Sequence, residues 1–160
     1  MSQSTSPWVH VTLADVQACI LAEALSLAQA RAAQRQQADP FTVHLPKIVA
    51  RVRSKVASVS GAVLSADALA VPPELADQTA LLVAHAVALP LASANTHLLG
   101  DDLRAAVARA ERDLDDAAAG RLAVSLPTDA LPANPVASTG RIQPVSGQER
   151  ESTRDTLRGL

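Results

Sequence analysis

Residues Asp101–Pro127 read DDLRAAVARAERDLDDAAAGRLAVSLP. Leu103, Val107, Ala110, Leu114 and Ala117 recur at alternating steps of four and three, the period of an amphipathic helix beginning around Asp101 or Asp102. Gly120 falls where a left-handed C-terminal cap is expected. Beyond it the period changes. Leu122, Val124 and Leu126 alternate with Arg121, Ala123 and Ser125, a short strand-like pattern. A helix, a stop and a change of period frame the chain as helical, with its last helix handing over to an extended segment.

The same stretch is rich in acids, a composition that can serve metal binding or acid/base chemistry. Asp102, Glu111, Asp113, Asp115 and Asp116 spread around the helix beside or opposite its apolar stripe. Metal sites add histidine, or acids converging from other helices, and no E-x-x-H motif supplies that here. Arg109 and Arg112 are spaced to pair with Asp113, Asp115 and Asp116. The expectation is a solvated, partly ion-paired face. His10, His44, His85 and His97 show no metal-ligand spacing. There is no Gly-rich phosphate loop, no G-x-S-x-G elbow and no Cys–His pair with local support. No catalytic residue, cofactor or metal ligand is assigned, and the chain is expected not to be an enzyme.

Working back toward the N-terminus, Pro72 and Pro73 can open a helix with Glu74 near its positive end. Leu75, Thr79, Leu82, Ala86 and Leu89 form its seam, and Pro90 is expected to end it. Gly61 to Val71 is a connection with no assigned structure. The preceding helix is expected to start near Pro46, with Ile48, Val52, Val56, Val59 and Val63 as its stripe. Lys47, Arg51 and Lys55 lie on one flank of that stripe and Arg53 on the other. These four are either a solvated basic flank, or contacts to acids of a neighbouring subunit or to DNA phosphates. The first helix begins at Thr12, with Asp15 as an imperfect capping box. Leu13, Val16, Ile20 and Leu27 carry its apolar face, with Ala24 between. QARAAQRQQ continues that helix as a polar extension, with a stop at Asp39-Pro40.

A length of 160 residues suits one domain with extensions. Apolar residues reach 48% but aromatics only 1%, so the core is built from Ala, Val and Leu in closely packed helices. Such a core gains from burial against neighbours in an assembly. A net charge of −2 does not suit a protein that neutralises phosphates over its whole surface. Cys19, the single cysteine, excludes an intrachain disulfide and reads as a small buried hydrophobe. The polar start MSQSTSPW lacks the features of a signal peptide. The most apolar run, Thr79 to Ala94, is shorter than a membrane span and contains His85 and Pro90, so a soluble protein is expected.

The predicted architecture is all-α: a small antiparallel bundle of about four helices, a short strand-like segment and an extended C-terminal tail. Residues 1–11 are a flexible arm, 12–120 the bundle and 121–160 the tail. Pro127, Pro132, Pro135 and Pro144, with Gly140 and Gly147, argue against an independent core in the tail. Leu122, Val124, Leu126, Ile142, Val145 and Leu157 are its candidate protein-interaction residues. The first three have no obvious partner in a small bundle and are expected to pack on another subunit.

The order VPPELADQTALLVAHAVAL, a loop, then DDLRAAVARAERDLDDAAAGRLAVSLP resembles the head–tail connector proteins of Mu-like tailed phages, also called adaptor or head-completion proteins. The likeness spans roughly Leu45 to Pro127. It rests on Val71, Pro72 and Leu75 at a helix start, on Pro90 and Leu91 at a Pro-Leu loop, on the Ala118 to Gly120 turn and on the Leu122 to Leu126 extension. The resemblance implies a non-enzymatic virion part at the neck, forming a homo-oligomeric ring, usually a dodecamer, under the portal protein. Such a ring extends the channel for genomic double-stranded DNA, without sequence recognition, and docks a stopper or tail-completion protein. It implies a place at the capsid-to-tail junction, and in the host cytoplasm during assembly, with no membrane partner. The sequence is also compatible with a helical regulatory or scaffolding module that binds one partner. A third reading is a nucleic-acid binder acting through Lys47, Arg51, Arg53 and Lys55.

Overall fold

The computed structural model describes residues 5–20, 22–59, 62–92 and 100–130. The described chain is mainly helical, with five α-helices rather than about four. These are α1 (Leu13–Cys19), α2 (Ala22–Gln34), α3 (Pro40–Ala57), α4 (Ala76–Ala92) and α5 (Asp101–Ala118). Four two-residue strands accompany them: β1 (Thr5–Ser6), β2 (Val9–His10), β3 (Ala70–Val71) and β4 (Leu126–Pro127). β1 pairs in parallel with β4, and β2 antiparallel with β3.

The first expected helix is two. The capping box at its start is complete: the Asp15 N–H donates to the Thr12 hydroxyl, and the Thr12 N–H to the Asp15 carboxylate at 2.7 Å. After Cys19 the chain leaves helical geometry at Ile20, with φ −132° and ψ 161°. No Gly or Pro marks this break. It turns the chain so that α1 and α2 both lie on α4, and tertiary packing overrides local propensity.

The helix expected from Pro46 begins six residues earlier. Asp39 caps it, its carboxylate accepting the Phe41 N–H at 2.9 Å, and Pro40 takes the first helical position. The Asp-Pro pair read as a stop is therefore also a start, and Pro46 lies inside α3. The buried stripe is Val49, Val52 and Val56, with Leu45 and Ile48 partly buried beside it. Val59 and Val63 lie past the helix end.

α4 is the centre of the molecule, in contact with α1, α2, α3 and α5. It buries Thr79, Ala80, Leu82, Val83, Ala84, Val87, Ala88 and Leu91. That distribution is nearly all round, as a core helix requires, and not the single seam expected. Leu89, placed in that seam, is 54% exposed. The buried Thr79 hydroxyl donates to the Leu75 carbonyl at 2.6 Å, which satisfies it within the helix. Pro90 does not end α4, which runs on to Ala92. Pro90 lacks the N–H that would close one backbone bond, and α4 ends within two residues of it.

α5 matches expectation closely. Ala110, Leu114 and Ala117 are buried, with Val107 packed against the core. Gly120 has φ +71°. The Arg121 N–H reaches the Asp116 carbonyl at 2.8 Å and the Gly120 N–H the Ala117 carbonyl at 3.0 Å, a Schellman cap.

The residues read as a flexible arm are partly ordered in the fold. Residues 5–11 supply β1 and β2, and Trp8 and Val11 enter the core at 8% and 5% exposure.

Candidate functional site

Two constellations from the sequence can now be placed: the basic flank of α3 and the apolar strip after Gly120. The basic flank faces the acids of α5. Arg51 donates both terminal guanidinium nitrogens to the Glu111 carboxylate, at 2.8 and 2.6 Å. One turn on, the Lys55 ammonium meets Asp115 at 2.7 Å. A further step along, the Ser58 hydroxyl reaches the Ala118 carbonyl at 3.5 Å. Partners advance together along both helices, so α3 and α5 run in the same direction. Of the acids expected to pair with Arg109 and Arg112, Asp115 and Asp113 are instead held by α3 and α4, and Asp116 by Arg121 just past the helix end. Arg112 donates to the Ala108 carbonyl, Arg121 takes Asp116 at 2.9 Å, and Gln78 of α4 reaches Asp113 at 3.3 Å. Lys55, by its hydrogen bond and then its charge, holds the Asp115 carboxyl below the ordinary value. These pairs are largely solvent-exposed, so each contributes little to stability. Their larger effect is to fix helix direction and register.

Arg53 projects to the other side of α3 and acts as a node. Its guanidinium donates to the carbonyls of Ser65 (2.8 Å), Asp67 (2.7 Å) and Ala70 (2.9 Å). It also lies over the Trp8 ring, 5.4 Å from the centroid. The Trp8 indole N–H in turn donates to the Ser125 carbonyl at 3.1 Å. Ser125 is bonded through its N–H, at 3.2 Å, and its hydroxyl to the Glu74 carboxylate. His10 pairs with the Asp67 carboxylate. Asp67 is held below the usual carboxylate value, first by the Leu69 N–H and then by His10. One arginine thus ties the N-terminal residues, the 65–71 connection and the post-α5 segment into one corner. Of the four cations singled out in the sequence, Lys47 alone has no hydrogen-bond or ion-pair partner among the described residues.

The strip after Gly120 finds partners within its own chain. Leu122 and Val124 pack against the core, and Leu126 pairs with Thr5. Further on, Ser65 and Ala130 form a bridge, and the Ser65 hydroxyl meets Asp129 at 2.7 Å. That bond holds the Asp129 carboxyl low. Ile142, Val145 and Leu157 lie outside the described residues.

A third feature went unread in the sequence. Arg31 and Arg35, on the polar extension, line a cleft of about 730 Å³ between α2, α3 and the last turn of α4. The one available signal was their spacing of four on a helix. His44 also lines it, and burial, with Lys47 nearby, lowers its pKa and favours the neutral ring. Among the described residues no three His, Cys, Asp or Glu side chains converge as a metal site. No described helix is long and apolar enough to cross a membrane. Cys19 is half-buried, and burial and then the nearby Asp77 raise its thiol pKa, as suits a packing residue.

No protein-family model, curated protein or solved structure matches the chain.

Proposed function

We propose that the protein is a structural part of a phage virion: a head–tail connector that forms a ring under the portal, extends the DNA channel and docks a stopper or tail-completion protein. In this reading α3, α4 and α5 are the helical bundle of one subunit. The observation that carries it is the resemblance between Leu45 and Pro127: its markers Pro72 and Gly120 fall at element boundaries, whereas Pro90 and Leu91, expected in a loop, lie within α4. Pro72 stands at the entry to the short helical turn Pro73–Leu75 that leads into α4, and Gly120 ends α5 with φ +71°. The commitment of Arg51, Arg53 and Lys55 to acceptors within the chain supports a conduit through which DNA slides, in preference to a surface that grips phosphates.

The test is light scattering after size exclusion, on the protein mixed with the portal protein of the same genome. A complex of ring size, absent when either component is run alone, is the expected outcome. A monomer that passes the portal unchanged sinks the reading.

A further inference from the structure

The cleft between α2, α3 and α4 is built unlike the rest of the surface. Its floor is apolar, from Val43 on α3 and Val87 and Leu91 on α4. Its rim is cationic, from Arg31 and Arg35, with the amides of Gln34 and Gln37 beside them. No Asp or Glu among the described residues lines it. Elsewhere Arg51, Arg53 and Arg121 all have acceptors on neighbouring elements. Arg31 and Arg35 have no side-chain acceptor among the described residues. They are spaced to be neighbours on the helix, where unpaired like charges repel. The nearest acid in sequence, Asp39, is already engaged: it caps α3 through the Phe41 N–H and accepts from the Gln29 amide at 3.1 Å. It also offsets the positive end of α3, so the two guanidinium groups supply the local charge.

The volume, about 730 Å³, falls in the range of small-molecule pockets. An apolar floor beneath two free guanidinium groups selects for a ligand with both characters. Each guanidinium can meet an oxyanion with two parallel hydrogen bonds. We propose that this cleft binds a small organic anion, its carboxylate or phosphate group held by Arg31 and Arg35 and its apolar body laid on Val43, Val87 and Leu91. This site is independent of the connector reading and stands or falls separately.

The experiment is an amide NMR titration of the full chain with phenyl phosphate and with phenylacetate. Inorganic phosphate supplies the head group alone and benzyl alcohol the body alone. At least one of the two whole probes saturates, shifting residues 31–37, 43–44 and 87–91 together, and the tighter one identifies the head group. Each fragment alone binds about tenfold more weakly or worse. The double variant Arg31→Ala/Arg35→Ala weakens the whole probe by a similar factor, and Arg31→Lys/Arg35→Lys falls between. Should the double variant lose its helical signal, Arg35→Glu, a change at an exposed position, carries the same test. The proposal is overturned if neither whole probe saturates, if the charge variants bind as well as the parent, or if shifts spread to Lys47 and Arg109 as for unspecific attraction.

Discussion

Gln36 and Gly120 hold the same left-handed position at the ends of α2 and α5, with φ 55° and 71°. Both ends are Schellman caps: the Gln37 N–H reaches the Ala32 carbonyl at 2.8 Å and the Gln36 N–H the Ala33 carbonyl at 3.1 Å, matching the bonds after α5. A side chain at such a φ costs about 1 kcal/mol, which Gly120 avoids and Gln36 does not. Gln36→Gly should therefore raise stability in urea by up to about 1 kcal/mol, and Gly120→Ala should lower it by about 1 kcal/mol. The second cost comes from the backbone angle, because a Cβ on Gly120 meets Val59 at an ordinary 3.9 Å. A destabilised Gln36→Gly protein would mean that the Gln36 side chain contributes more than its strain. Arg53 is the other decisive residue. Arg53→Ala takes a donor from three carbonyl groups, of which that of Asp67 keeps the Ala70 N–H, and uncovers Trp8, for an expected loss of about 2–4 kcal/mol. Arg53→Lys should recover only part, since an ammonium cannot reproduce the fork. Equal urea midpoints for Arg53→Ala and the parent would refute the node.

At the scale of elements, carboxylates fasten the pieces together. Asp115 binds α3 to α5, Asp67 binds His10 to the 65–71 connection, Asp129 holds Ser65, and Asp15 caps α1. All four are held below the ordinary Asp value of 3.8. For Asp15 the first cause is the Thr12 N–H. A carboxyl with a depressed folded pKa adds stability above its unfolded value, and loses it as pH falls through the folded one. Urea midpoints should therefore drop below about pH 4, beyond a smaller decline that sets in below about pH 6.5 from His44, whose neutral ring the fold favours. Asp115→Asn should make that drop shallower, by a small amount because the pair is exposed. A midpoint that rises below that pH contradicts the scheme. Where sequence and structure part company, the cause lies at this scale. α5 was legible because its spacing, its glycine stop and its burial all agree. The break at Ile20 was not, because only packing on α4 decides it. Asp39-Pro40 misled because the same pair that discourages one helix caps and starts the next. The acids of α5 were read as a face paired along its own helix, but Glu111 and Asp115 find their partners on α3, sixty residues away in the chain and outside the reach of helical spacing. The cleft escaped notice because Arg31 and Arg35 look like any solvated pair until α3 and α4 supply its floor.

For the whole molecule, the question is where the folded unit ends. The change of period after Gly120 suggested a boundary there, with everything beyond it serving assembly. The contacts carry the folded unit ten residues further. Leu122 and Val124 cover the core, Ser125 accepts from Trp8, β4 pairs with β1, and Asp129 and Ala130 join Ser65 and Ala66. Two truncations separate the roles. Removing residues 131–160 takes none of these contacts, so the helical circular-dichroism signal should persist, with a melting temperature within the few degrees that about 0.5 kcal/mol represents. Removing residues 121–160 takes all of them and exposes Trp8, costing about 3 kcal/mol or more. Trp8 is the single tryptophan, so its emission should shift to the red in the second protein and not in the first. Under the connector reading the shorter deletion also weakens the portal complex while the subunit stays folded. If it instead melts the helices, residues 131–160 are part of the core, and an assembly role for them loses its basis.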